Sequence, residues 1–103
     1  MSIKGLQPAE IECIIDVFKA FPQVKKAYLF GSRAIGTHKV GSDVDIALIG
    51  KNIDQVITTI SYTLNEETLL PYSFDLIDYE TLTNADLKEH IDRVGALLYE
   101  SQV

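Results

Sequence analysis

The chain has 103 residues, 47% of them apolar and 23% charged, and a formal net charge of −6. That length supports one domain with a modest core, and the composition is that of an ordinary globular protein. No apolar run reaches the ~20 residues of a membrane span, the segment from Met1 to Gly5 has no signal-peptide apolar region, and one cysteine, Cys13, excludes an internal disulfide. The cytosol is therefore the expected compartment, and without a Cys/His cluster a structural zinc is not expected. A net negative charge argues against non-specific nucleic-acid binding, which depends on neutralising phosphates. The charge is uneven: residues 1–51 carry seven Lys/Arg and five Asp/Glu, residues 52–103 two and ten.

In chain order, residues 8–20 predict an amphipathic helix. Pro8 suits its first position, Glu10 and Glu12 its positive end, and Ile11, Ile14, Ile15 and Phe18 form one stripe. Pro22 stops it, and Cys13, beside the stripe, reads as a packed thiol. Val24 to Phe30 is the first strand, and a short helix is expected from Ser32 to Gly36. Gly36 to Ser42 is turn-rich and expected to be mobile. The second strand runs from Asp43 to Ile49, with Val44, Ile46 and Leu48 on one face. Asn52 is placed to cap a helix reaching Asn65, with Gln55 completing a capping box and Ile53, Val56, Ile57, Ile60 and Leu64 as its stripe. Tyr72 to Tyr79 is the third strand, and Asn84 to Arg93 and Ala96 to Ser101 predict two short helices separated by Gly95. The order α-β-α-β-α-β-α-α implies an α/β (α+β) fold over a single domain, residues 1–103, with helices packed on a small sheet of mixed strand direction.

The chemistry concentrates in Tyr28-Leu29-Phe30-Gly31-Ser32-Arg33 and Gly41-Ser42-Asp43-Val44-Asp45-Ile46-Ala47-Leu48. Alternate residues of a strand share a face, so Asp43 and Asp45 project together with Cα atoms about 7 Å apart. Two carboxylates at that distance repel by about 2–3 kcal/mol at an effective dielectric near 20. Such a pair suits a cation, and Mg²⁺ fits an all-oxygen site. Gly31 allows close backbone approach, and a helix starting at Ser32 would aim N–H groups and a hydroxyl at a phosphate. An EF-hand reading of Asp43-x-Asp45 fails, because Ala47 stands where a third oxygen ligand is needed and Leu48 replaces the turn glycine. Sugar-nucleotide transferases with a D-x-D motif are far longer.

Gly31-Ser32, ten intervening residues and Asp43-Val44-Asp45 together resemble the signature of the DNA polymerase β-like nucleotidyltransferase superfamily. The flanking Leu29-Phe30 and Ile46-Ala47-Leu48, with the tail Leu87 to Ile91 and Gly95 to Glu100, look most like its minimal members, the antitoxin partners of HEPN-domain toxins. The resemblance covers nearly the whole chain. It implies a nucleotidyltransferase fold and transfer of AMP from ATP onto a tyrosine of a cognate HEPN ribonuclease. Asp75 and Asp78 lie on opposite faces of the third strand, so only one can join Asp43 and Asp45; the resemblance favours Asp75, leaving Asp78 as a solvated or capping carboxylate.

The resemblance then implies a triad, Asp43, Asp45 and Asp75, that is both catalytic and metal-binding, with two Mg²⁺ ions that Mn²⁺ could replace. Gly31, Ser32 and Arg33 are the expected phosphate contacts, Arg33 as an exposed side chain beside the cradle. Many relatives carry a basic residue where this chain has Ile35, so one phosphate or partner contact is missing. His38 reads as a solvated loop residue, His90 as structural, and Tyr28, Tyr62, Tyr72, Tyr79 and Tyr99 as core or interface side chains. Larger nucleotidyltransferases carry an added helical domain, so here the cleft is expected to be open or completed by another protein. The acidic second half fits a basic partner, and a homodimer is also compatible with so small a core. Two rival functions remain at this level: a non-catalytic, nucleotide-sensing or partner-binding antitoxin module, and transfer onto a small molecule such as an aminoglycoside.

Overall fold

A computed structural model describes residues 5–39 and 41–102. Val40, inside the segment expected to be mobile, lies outside the described residues. Four strands form one sheet in the order β3-β2-β1-β4. They are β1 (Val24–Phe30), β2 (Val44–Gly50), β3 (Phe74–Asp78) and β4 (Ala96–Glu100). β1 runs antiparallel to both β2 and β4, whereas β2 and β3 are parallel. The sheet is mixed, as the sequence implied. The helices are α1 (Pro8–Lys19), α2 (Ser32–Ile35), α3 (Ile57–Tyr62) and α4 (Ala85–Val94).

The apolar pattern sorts these elements onto two faces. Ile11, Ile14 and Phe18 of α1 and Ile60 of α3 pack with Ala27 and Leu29 of β1 and Val44, Ile46 and Leu48 of β2. Because side chains alternate along β2, Asp45 and Ala47 must point to the other face. There Phe30, Ala47 and Ile91 form a smaller cluster, with Ile77, Tyr79, Leu82 and Leu87 packed against it. α4 thus covers part of the carboxylate-bearing face. α1 is held at its start by the Gln7 N–H, which donates to Glu10 Oε1 at 2.8 Å. Asn84 caps α4 by accepting from the Leu87 N–H at 3.1 Å.

Two local expectations are corrected. Within residues 96–101, expected to be helical, Ala96–Glu100 form β4, which pairs with β1 and is followed by a bond from the Ser101 N–H to the Lys25 carbonyl at 2.8 Å. Five residues are too few to establish a helical period, and the open edge of β1 offers a full ladder that local propensity does not reveal. Gly95 makes the direct turn from α4 into β4 possible: a Cβ there would fall 2.5 Å from the Ile91 carbonyl oxygen. The helix expected from Asn52 is also broken. Asn52 adopts φ 56° and makes no side-chain cap, and a 3₁₀ turn over Ile53–Gln55 precedes α3. After Tyr62 the chain widens into a π turn, Thr63–Glu67, closed by the Thr68 N–H on the Thr63 carbonyl at 3.2 Å. Its apolar stripe is nevertheless retained, since Ile53, Ile60 and Leu64 are all buried.

Candidate active site

Parallel pairing of β2 with β3 sets the carboxylates. The register matches Val44 with Phe74 and Asp45 with Asp75, so the two aspartates are neighbours on one face. Adjacent strands lie about 4.8 Å apart, well within range of mutual repulsion. Asp43 precedes the strand by one residue and shares the parity of Asp45. Asp78 pairs with Leu48, on the opposite face, and caps the following turn by accepting from the Glu80 N–H at 3.2 Å. Geometry therefore brings Asp75, and not Asp78, to Asp45.

Asp43 and Asp75 are exposed, and Asp45 is half-buried. Burial raises the Asp45 carboxyl above its ordinary range of about 3.8, and the charges of Asp75 and Asp43 raise it further. The Arg33 guanidinium acts in the opposite sense. Among the described residues, no three His, Cys, Asp or Glu side chains are gathered so as to hold a metal ion by themselves. The donor chemistry still suits a hard cation: these are oxygen ligands whose mutual repulsion a positive charge would relieve. Mg²⁺ in particular is usually bound by one or two carboxylates together with substrate phosphates, without an all-protein cage. The residues fit a hard divalent cation whose remaining ligands come from outside the protein.

Gly31 joins β1 to α2 at φ 77°, ψ −157°. Any side chain there would be strained, and its Cβ would run into Asp45 Oδ2. The Gly31 N–H donates to His90 Nε2 at 3.0 Å. His90, read from sequence as merely structural, thus reaches the site from α4, with its ring edge-on to Phe30 at 6.2 Å. No motif marks it, and only the 59-residue jump made by the fold brings it here. Ser32, the first residue of α2, is half-buried beside it.

Arg33 differs from expectation. It is only 3% exposed, with Nε and Nη2 donating to the Ser42 carbonyl at 3.3 and 3.0 Å. Its guanidinium lies over the Tyr72 ring, 4.9 Å from the centroid. The Tyr72 hydroxyl donates to Glu10 Oε1 at 2.8 Å, and burial, followed by that bond, raises its pKa. A line from α1 through Tyr72 and Arg33 thereby pins the carbonyl immediately before Asp43. In place of the exposed phosphate contact expected from sequence, the side chain is buried and anchors the Ser42 loop. His38 is also tucked in, half-buried, its Nδ1 without a partner among the described residues. It borders a cavity of about 280 Å³ lined by Gly5, Arg33, His38, Gly41 and Tyr72.

A small mixed sheet thus carries a Gly-Ser bend beside strand carboxylates. The chain belongs to the Polymerase beta, Nucleotidyltransferase family, whose model matches residues 12–103, and it is a nucleotidyltransferase. A comparison with curated protein sequences gives no match. Among solved structures it is similar to a toxin-antitoxin complex with AMP-PNP, at 27% identity and TM-score 0.70, covering 89% of this chain and 74% of the other. A mutant form of the MntA-HpeT toxin-antitoxin is 27% identical, with TM-score 0.67 over 88% and 72% of the two chains. The complex of tri-AMPylated Shewanella oneidensis HEPN toxin with MNT antitoxin is 22% identical, with TM-score 0.56 over 89% and 71%. At that last identity the likeness is one of fold. No helix among the described residues is long and apolar enough to cross a membrane.

Proposed function

We propose that this nucleotidyltransferase moves AMP from ATP onto a tyrosine hydroxyl of a HEPN ribonuclease toxin, and so acts as its antitoxin. The observation that carries the reading is the in-register pair Asp45–Asp75 beside the Gly31-Ser32 bend, in a chain of this family. Similarity to a toxin-antitoxin complex holding AMP-PNP supports the nucleotide and the partner class. An open site supports a macromolecular acceptor: Asp43 and Asp75 are exposed, and a larger cavity of about 510 Å³, between α1 and β4, lies away from them.

Asp43, Asp45 and Asp75 would hold divalent metal, which when bound supplies charge neutralisation on the triphosphate and a more acidic acceptor hydroxyl. The chain's own contribution is positioning. Asp75, on an edge strand of the sheet, would accept the proton of the incoming hydroxyl. The acceptor oxygen attacks the α-phosphorus in line, and pyrophosphate leaves with the bonding electrons of the broken P–O bond. The Ser32 hydroxyl and the backbone following Gly31 hold the outer phosphates. Arg33 serves the site indirectly, by holding the loop that carries Asp43.

The test is incubation with α-³²P-labelled ATP, Mg²⁺ and the candidate toxin. Label on the toxin that disappears with Asp43→Asn and with Tyr→Phe substitution of the acceptor supports transfer. Tight complex formation without label would replace it with a non-catalytic module, and label on an added aminoglycoside with small-molecule transfer.

A further inference from the structure

We infer that His90 is a positioning residue of the nucleotide cradle: its Nε2 fixes the Gly31 peptide and thereby the direction of the Ser32 hydroxyl. The inference rests on the reading of this bend as a nucleotide site. Gly31 occupies a backbone region that glycine enters and leaves easily, so an untethered peptide there is free to rotate. It is held from two sides. Asp45 Oδ2 closes the side on which a Cβ would project, and the Gly31 N–H donates to His90 Nε2 at 3.0 Å.

An Nε2 that accepts a hydrogen bond is unprotonated, so the neutral ring carries its proton on Nδ1. The ring is itself oriented. It stands at 77° to Phe30, and the next residue of α4, Ile91, is buried in the small cluster with Phe30 and Ala47. A helix packed for apolar reasons therefore delivers one acceptor atom to the bend. That acceptor does not occupy a phosphate site; it holds the Phe30–Gly31 peptide, from which Gly31 leads into the residue that does.

Three variants separate this role from simple packing. His90→Phe keeps an aromatic ring against Phe30 but removes the acceptor. His90→Ala removes both. His90→Gln presents a carbonyl oxygen near the former Nε2 position. The readouts are the affinity for AMP-PNP with Mg²⁺ and the ¹⁵N–¹⁵N scalar coupling across the bond from Gly31 to His90. We expect the coupling in the wild-type protein. Loss of one backbone-directed bond should weaken AMP-PNP binding about five- to tenfold in both the Phe and Ala variants. The Gln variant should bind within about twofold of wild type, a recovery that packing on Phe30 alone would not produce. Wild-type affinity in His90→Phe, absence of the coupling, or failure of a folded Gln variant to recover affinity would each overturn the assignment of His90. Failure of the wild-type protein itself to bind AMP-PNP, with the coupling present, would instead overturn the nucleotide-site reading on which the assignment rests.

Discussion

Asp45 is the half-buried carboxylate of the candidate site. Its carboxyl is raised by burial and by Asp75 and Asp43, so without a bound cation the folded state holds that proton more tightly than the unfolded chain does. The stability this contributes is present below the ordinary carboxylate range, near 3.8, and is lost as pH rises through the elevated value in the folded state. Asp45→Asn should therefore raise the melting temperature of the metal-free protein at pH 7 and leave it unchanged well below pH 3.8, which thermal melts at the two pH values would check. The same change should lower nucleotidyl transfer by at least about 100-fold, since losing a mere supporting contact to a metal ligand costs 10–100-fold. Gly31→Ala meets two obstacles together, the positive φ and the Asp45 carboxylate. It should destabilise the protein by about 1–3 kcal/mol in denaturant titration and displace Asp45 from the site. Arg33→Lys keeps the charge but cannot reproduce the paired bonds to the Ser42 carbonyl or the flat contact on Tyr72. A loss of about 1–2 kcal/mol is expected from the same titration.

At the scale of elements, β4 is the informative departure. Sequence predicts a short helix from Ala96 to Ser101, whereas Ala96 to Glu100 form a strand. Leu98 is buried and Leu97 is 46% exposed, an alternation visible only in hindsight over so short a run. What decides the matter is the antiparallel edge of β1, a partner more than sixty residues away. Gly95→Ala tests the junction. The added methyl meets the Ile91 carbonyl oxygen, a backbone atom that cannot move without disturbing the end of α4. We expect about 1–3 kcal/mol of destabilisation and faster hydrogen exchange at the Ser101 amide, the strand's last anchor. The broken third helix makes a related point. Its apolar stripe was legible from Ile53 to Leu64, and Ile53, Ile60 and Leu64 are buried with Val56 and Ile57 packed against the core, yet the backbone gets there through a 3₁₀ turn, a short α-helix and a π turn.

For the whole molecule, the sheet divides labour between its faces. One carries most of the core, and the other carries a small apolar cluster under α4 and leaves the carboxylates open. Ile46 is fully buried at the centre of the larger cluster, so Ile46→Ala should cost about 2–5 kcal/mol. Against the 5–15 kcal/mol typical of such domains, that loss should be evident as a much lower urea midpoint. The net charge of −6, with ten of the fifteen acidic residues beyond residue 51, predicts that association with a basic protein partner is steered electrostatically. Its association rate, measured by stopped flow, should fall as salt rises from 50 to 500 mM while the dissociation rate changes little.

From the chain alone came the features that depend on neighbours in sequence: the amphipathic stripe of α1, the apolar runs of β1 and β2, and the spacing of Gly31-Ser32 from Asp43 and Asp45. Periodicity and turn chemistry act over a few residues, so they can be read without knowing what lies across the fold. Tertiary structure alone decided the rest. α4 carries His90 to the Gly31 peptide, Arg33 turns inward to hold Ser42, and β1 recruits β4. Each of these is a contact between segments whose individual propensities are weak or neutral, and its free energy exists only once the chain has closed on itself.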